Sequence, residues 1–236
     1  MHTMTRAGLL LCLCLGLAAC PRPVQPPAPT PSVPQPGPTP SGDTKGATIY
    51  QIDPQTSELH ILVYRGGTFA RLGHNHVMSS KSLSGRVWTQ PQFAASGFEL
   101  SFPVADLIVD DPNARRAAGS DFPPDIPAAD KEGTRKNMLR AEVLDGERYP
   151  RVEIKSAKVG GSLQAPQVTA RITIKDASRD VAVPVVAAVN GDRLTASGEF
   201  EILQTDFGIK PFSVALGALE VKDRLLVRFK LVASKR

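Results

Sequence analysis

Cysteine is almost missing from this chain: its three copies, Cys12, Cys14 and Cys20, all fall near the N-terminus. The remainder can form no disulfide and has to fold by packing alone. Aromatic residues are few, at 6% with a single tryptophan, Trp88, so aliphatic side chains must supply most of the core. No long Lys/Arg run occurs, because 28 basic residues are dispersed among 23 acidic ones. That dispersal lacks the electrostatic footprint of a nucleic-acid binder, and no nucleic acid is expected among the partners. The longest apolar run, residues 9–17, is too short to cross a bilayer as a helix. No complete catalytic set is visible in the spacing of Ser, His, Asp, Glu and Cys, and no catalysis is expected.

What is present begins at the N-terminus. His2 and Arg6 precede the apolar run, which is the layout of a secretory signal. The run ends in Leu17-Ala18-Ala19-Cys20, a string that resembles a bacterial lipobox. The resemblance implies lipidation of the Cys20 thiol and cleavage before it, so residues 1–19 are expected to be a lipoprotein signal peptide. Acyl chains contribute about 0.8 kcal/mol per buried methylene, and several together anchor stably. Cys12 and Cys14 would leave with the signal, as would Arg6, taking the net charge from +5 to +4. Residues 21–41 hold ten prolines and nothing that could bury a core. Residues 20–45 therefore predict a disordered, Pro-rich tether reaching up to about 65 Å at ~3.1 Å per residue. The expected location is the periplasmic face of a bacterial membrane. Pro21 after the cysteine, where Asp would favour retention at the inner membrane, points to the outer membrane.

Residues 46–236 form one domain with enough chain for a sizeable core. Apolar and polar residues alternate through much of it, as in Val168, Ala170, Ile172 and Ile174 against Thr169, Arg171, Thr173 and Lys175. Val181, Val183, Val185, Ala187 and Val189 continue the period of two. Asn190-Gly191-Asp192 then signals a turn into Ala196, Gly198, Phe200 and Ile202. About eight such strands predict an all-β fold, an antiparallel sheet curled into a barrel or sandwich. One α-helix is expected over 127–144, with Pro127 at its start, Asp130 and Glu132 early, and Lys136 and Arg140 late. The preceding 110–125 reads as a surface loop with Arg115 and Arg116 as a solvated pair.

The stretch 66–88, GGTFARLGHNHVMSSKSLSGRVW, carries the candidate site. It holds His74 and His76, separated by Asn75, and ends at Trp88. In an extended segment two residues apart point to one face, so both imidazoles could meet a common metal, phosphate or quinone oxygen; in a turn that argument lapses. A metal would need a third ligand, and His60, Glu58 and Asp53 qualify only by chain position, so no metal site is assigned. Arg65 and Arg71 flank the histidines, and a guanidinium suits a phosphate or carboxylate head group. The letters HNH also match a nuclease motif, but no ββα metal unit follows them and no basic groove accompanies them.

A family resemblance rests on strings in order: Tyr50-Gln51-Ile52-Asp53; Lys136-Asn137-Met138-Leu139 through Tyr149-Pro150-Arg151-Val152-Glu153-Ile154; Ala170-Arg171-Ile172-Thr173-Ile174 leading to Val181; and Asp206-Phe207-Gly208-Ile209. From Ile49 to the C-terminus the chain resembles the YceI-like, polyisoprenoid-binding, lipocalin-like proteins. The resemblance implies an antiparallel barrel of about eight strands, one helix over an end, an apolar channel for an isoprenoid or similar amphiphilic lipid, and no shared catalytic residues. Leu72-Gly73-His74-Asn75-His76 looks like a subgroup signature. A monomeric, membrane-anchored carrier of an amphiphilic lipid is therefore expected, with ligand contacts from His74, His76, Arg71 and Trp88 and with no cofactor beyond a bound lipid. Two rivals are a metal-binding protein or metal-dependent hydrolase using His74 and His76, and a structural barrel with a filled interior.

Overall fold

The structure, a computed structural model, describes residues 44–236. The expected signal peptide, the lipidation site Cys20 and most of the tether lie outside the described residues. Thirteen strands build one antiparallel sheet: β1 (Thr48–Ile52), β2 (Glu58–Gly66), β3 (His76–Ser80), β4 (Ser84–Thr89), β5 (Gly97–Pro103), β6 (Ile108–Val109), β7 (Arg151–Gly161), β8 (Pro166–Ile174), β9 (Ala177–Pro184), β10 (Val186–Asn190), β11 (Arg193–Leu203), β12 (Ser213–Val214) and β13 (Leu219–Lys235). The all-β expectation holds. Several of the thirteen are short pieces of the roughly eight long runs that the alternation marks.

The long β13 is the spine. It pairs with β11 along one edge, and with β2 and then β1 along the other. From β1 the ladder runs through β4, β5, β7 and β8 to β9. No ladder joins β9 to β11. The hydrogen-bonded sheet is not closed there: the chain leaves β9 at Pro184, a residue with no N–H to donate, and resumes as β10 paired to β11. At that corner Gly198 of β11 passes so close to the Pro184 carbonyl that a Cβ would collide with it. The Asn190-Gly191-Asp192 signal is the β10–β11 turn, with Gly191 at φ 59°.

Period-two patterning gives the sheet two faces. Leu59, Ile61 and Val63 of β2 face inward with Met78, Phe102, Ile154, Ile172 and Val227. On the outer face Leu62 and Val77 are fully buried under a small second core that includes Ala114 and Phe122. That cover comes from a helix not anticipated from the sequence, α1 (Pro112–Ala118). Its start is conventional: the Asp111 side chain accepts from the N–H groups of Asn113 and Ala114, and Pro112 occupies the first turn. The helix expected over 127–144 is shorter, α2 (Ala128–Met138). Past Leu139 the chain turns instead, with Gly146 pressed against Leu139 and Val104. Arg135 ties α2 to the strand region beneath by donating to the carbonyls of Leu107 (3.0 Å) and Ala105 (2.5 Å).

Candidate functional site

Two adjoining apolar cavities occupy the interior. The first, about 220 Å³, is lined by Ile61, Val63, Met78, Phe102, Ile172 and Leu225 among others. It has a polar fringe of His76, Gln204, and Thr134 and Asn137 from α2. The second, about 150 Å³, is lined by Trp88, Phe93, Phe98, Val168 and Leu194 among others. They meet at Leu59, Ile154, Phe200 and Val227, which line both. Among the described residues, His76 is the one ionisable side chain that lines either cavity.

His76 opens β3 and is held from behind. Its Nδ1 lies 2.7 Å from Oδ2 of Asp110, a residue with no exposed surface that follows β6. Asp110 has φ 55°, a left-handed value that Asp tolerates better than most residues. Its backbone N–H donates to the Val77 carbonyl at 2.8 Å, and its Oδ1 accepts from the Val77 N–H at 2.9 Å. The same oxygen accepts from Arg115 Nη1 at 2.5 Å. Burial alone pushes the Asp110 carboxyl up, but hydrogen bonds from His76, from the Val77 amide and from Arg115 outweigh it and hold the group below the ordinary carboxylate range. The carboxylate engages Nδ1, leaving Nε2 as the ring nitrogen with no partner among the described residues.

The reading of Arg115 and Arg116 as a solvated pair is corrected for Arg115. Its side chain is wholly buried on α1 and also donates to the carbonyls of Asn75 (2.6 Å) and Pro123 (2.5 Å), while its guanidinium lies over Phe122. The cause is non-local: the β3–β6 ladder and α1 bring Asp110 and the Asn75 carbonyl to the guanidinium, satisfying a buried charge. Arg116, exposed, bonds Asn113 alone among the described residues, as a solvated residue would. The local Asp111-Pro112 helix-start signal could have revealed α1; the burial of Arg115 had no local cue.

The four sequence candidates are dispersed. His74 lies just before β3 rather than in it. Its ring is nonetheless 6.3 Å from that of His76, and its Nδ1 is 3.9 Å from Asp130 of α2. Asn75 points away from both, accepting from the Arg65 N–H and donating to the Asp121 carbonyl. Arg71 sits on the exposed 3-10 turn Ala70–Leu72 and lines neither cavity. Trp88 is buried against the second cavity, with its Nε1–H donating to the Ala95 carbonyl at 3.2 Å. Thr134, Asn137 and Gln204, which join His76 around the first cavity, were not among the site residues expected from the sequence. His60 faces away from both cavities, and burial holds its pKa below the ordinary value. Among the described residues no group of three or more His, Cys, Asp or Glu is placed to hold a metal ion, so the metal-dependent reading gains no structural support.

The family model for the YceI-like domain matches residues 50–233. No curated protein matches the chain in sequence. Among solved structures, Burkholderia cenocepacia BcnA is similar, at 19% identity and a TM-score of 0.59, over 78% of this chain and 99% of BcnA. A polyisoprenoid-binding domain from Saccharophagus degradans, implicated in plant cell wall breakdown, is similar at 12% identity and a TM-score of 0.51, over 79% of this chain and 98% of that domain. At these identities the likeness concerns the fold alone.

Proposed function

The chain belongs to the YceI-like family, and from that premise we propose that it is a binding protein for an amphiphilic lipid, isoprenoid or quinone-like, held in the barrel without chemical change. The observation that carries this reading is the pairing of two adjoining apolar cavities with, among the described residues, a single ionisable side chain, His76, at the fringe of one. An apolar tail gains about 25 cal/mol per Å² by leaving water for such walls. The head is placed at His76, Thr134, Asn137 and Gln204. With Nδ1 directed to Asp110, the imidazole is fixed in orientation and offers Nε2 to the ligand. The Saccharophagus domain is described as binding polyisoprenoids, which supports a long apolar tail here. His74 beside His76 is assigned a rim contact, and Trp88 a contact with the tail.

The anchor belongs to the same proposal. Lipidation at Cys20 and the Pro-rich tether would hold the domain, as a monomer, at the periplasmic face of the outer membrane, close to its source of ligand. Native mass spectrometry of protein extracted from its own membrane tests the reading. A bound mass matching an isoprenoid or quinone lipid is expected, on a polypeptide beginning at an acylated Cys20. A protein that emerges without ligand in repeated mild extractions would overturn the carrier reading in favour of a barrel whose interior serves only folding. A bound metal would instead favour the rival built on His74 and His76.

A further inference from the structure

Six large apolar side chains are exposed among the described residues, and four of them, Phe69, Leu72, Val214 and Leu216, fall on two neighbouring surface turns. One is the 3-10 turn Ala70–Leu72 after β2; the other is Ala215–Gly217 between β12 and β13. The turns are joined backbone to backbone. The Phe69 N–H donates to the Ala218 carbonyl at 2.6 Å, and Gly67, at φ 85°, passes too close to the carbonyls of Gly217 and Ala218 to admit a Cβ. Leu219 covers Gly73 from the other side.

Leu216 stands fully in solvent, at φ 56° and ψ 37°, and Ala215 beside it is also left-handed, at φ 50°. Two successive non-glycine residues in that region are strained, and here the strain turns a leucine away from every protein contact. The turns also adjoin the first cavity. Phe212 and Val221, just outside the second turn on either side, line it, and so does His76, which follows the first turn. Arg71 lies between Phe69 and Leu72 and forms no ion pair with the described residues; Lys222 lies beside Gly66. Against these cations stands Glu220.

We propose that these two turns are the face by which the domain rests on an anionic lipid surface, with Phe69, Leu72, Val214 and Leu216 entering the interfacial layer and Arg71 and Lys222 meeting lipid phosphates. Separate apolar tips with cations between them suit a layer of head groups, where long basic side chains reach water while their stems stay apolar. A protein partner of ordinary affinity would need a continuous area of about 800 Å² on this side. The contact would set the rim of the first cavity against the bilayer; that purpose, though not the contact itself, rests on the lipid-carrier reading.

The test places tryptophan as a probe in the full chain, Leu216→Trp in one variant and Val186→Trp, an exposed position beside the second cavity, in another. Each is mixed with vesicles of phosphatidylethanolamine and phosphatidylglycerol carrying brominated acyl chains. A lipid anchor tethers both variants equally, so the comparison isolates the orientation of the domain. Blue-shifted emission and quenching several-fold stronger at 216 than at 186 are expected, and adding Phe69→Asp and Leu72→Asp to Leu216→Trp should remove most of that difference. Equal quenching at the two positions, or none, would overturn the proposal. A blue shift that grows with protein concentration in the absence of vesicles would also overturn it, giving the turns to a second copy of the chain. Native mass spectrometry of the same proteins keeps the two readings apart: lipid still bound while the quenching test fails removes the docking face and leaves the carrier standing.

Discussion

The two cavities share strands, share Leu59, Ile154, Phe200 and Val227, and differ in what stands behind their walls. The second has only the hydroxyls of Thr89 and Ser96 among apolar walls, and its one aromatic N–H, on Trp88, is already satisfied by Ala95. The first has an imidazole in its wall and, behind that imidazole, a buried carboxylate and a buried guanidinium. Apolar walls need only volume and shape, and many side chains would serve. A polar group at an apolar cavity needs partners in fixed places, and here supplying them recruits β6, α1 and the 119–125 segment. The difference separates a place for a tail from a place for a head.

The comparison breaks most sharply at Asp110. Asp110→Ala should cost about 3–5 kcal/mol in denaturant unfolding, because it leaves the Arg115 guanidinium buried without its carboxylate and the Val77 amide without its acceptor. Removing Arg115 as well should cost less than the sum of the two single changes. Trp88→Ala in the second cavity should cost about 3 kcal/mol by loss of packing alone. Unlike Asp110→Ala, it should leave the dependence of stability on pH unaltered, as unfolding curves at several pH values would show.

Acid titration sharpens the contrast. The folded pKa of Asp110 is depressed below its unfolded value of about 3.9. Its contribution is therefore fully present above about pH 4 and is lost as pH falls through the lower folded value. His60 is depressed below about 6.5 by burial on the outer face, so its contribution is present above that pH and fades as pH falls through its folded value. Thermal unfolding from neutral to acid pH should show both losses. His60→Gln should flatten the upper one and Asp110→Asn the lower. The smallest effect is expected at His74, whose side chain is 41% exposed. His74→Ala should alter stability by no more than about 0.5 kcal/mol and leave most of the co-purified lipid in place.

The legible part of the fold was its local part. Alternation through 168–174 and 181–189, and the turn at Gly191, are each written in a few adjacent residues, and the strands stand where those patterns lie. The helix beginning near Pro127 was legible for the same reason; its end was not, because Leu139 leaves the helix to pack against Gly146. The site was half legible. His76 drew notice by its neighbour His74, but what fixes its role is Asp110, thirty-four residues along, and Arg115 beyond it, brought together by the β3–β6 ladder and α1. Trp88 closes the same stretch of sequence as the histidines but does not share their cavity. The β1–β4 register sets Trp88 opposite Ile49, and Trp88 lines the other cavity.

The division of labour between the cavities is tested most directly by nitrogen NMR of the imidazole and indole groups during titration with the lipid co-purified from the native membrane. His76 Nε2 should shift on binding while Nδ1 keeps the signature of its hydrogen bond to Asp110, and the Trp88 indole should respond only to ligands long enough to reach the second cavity. Saturable binding that moves Trp88 and leaves the His76 Nε2 resonance in place would contradict the assignment of the head group to the first cavity.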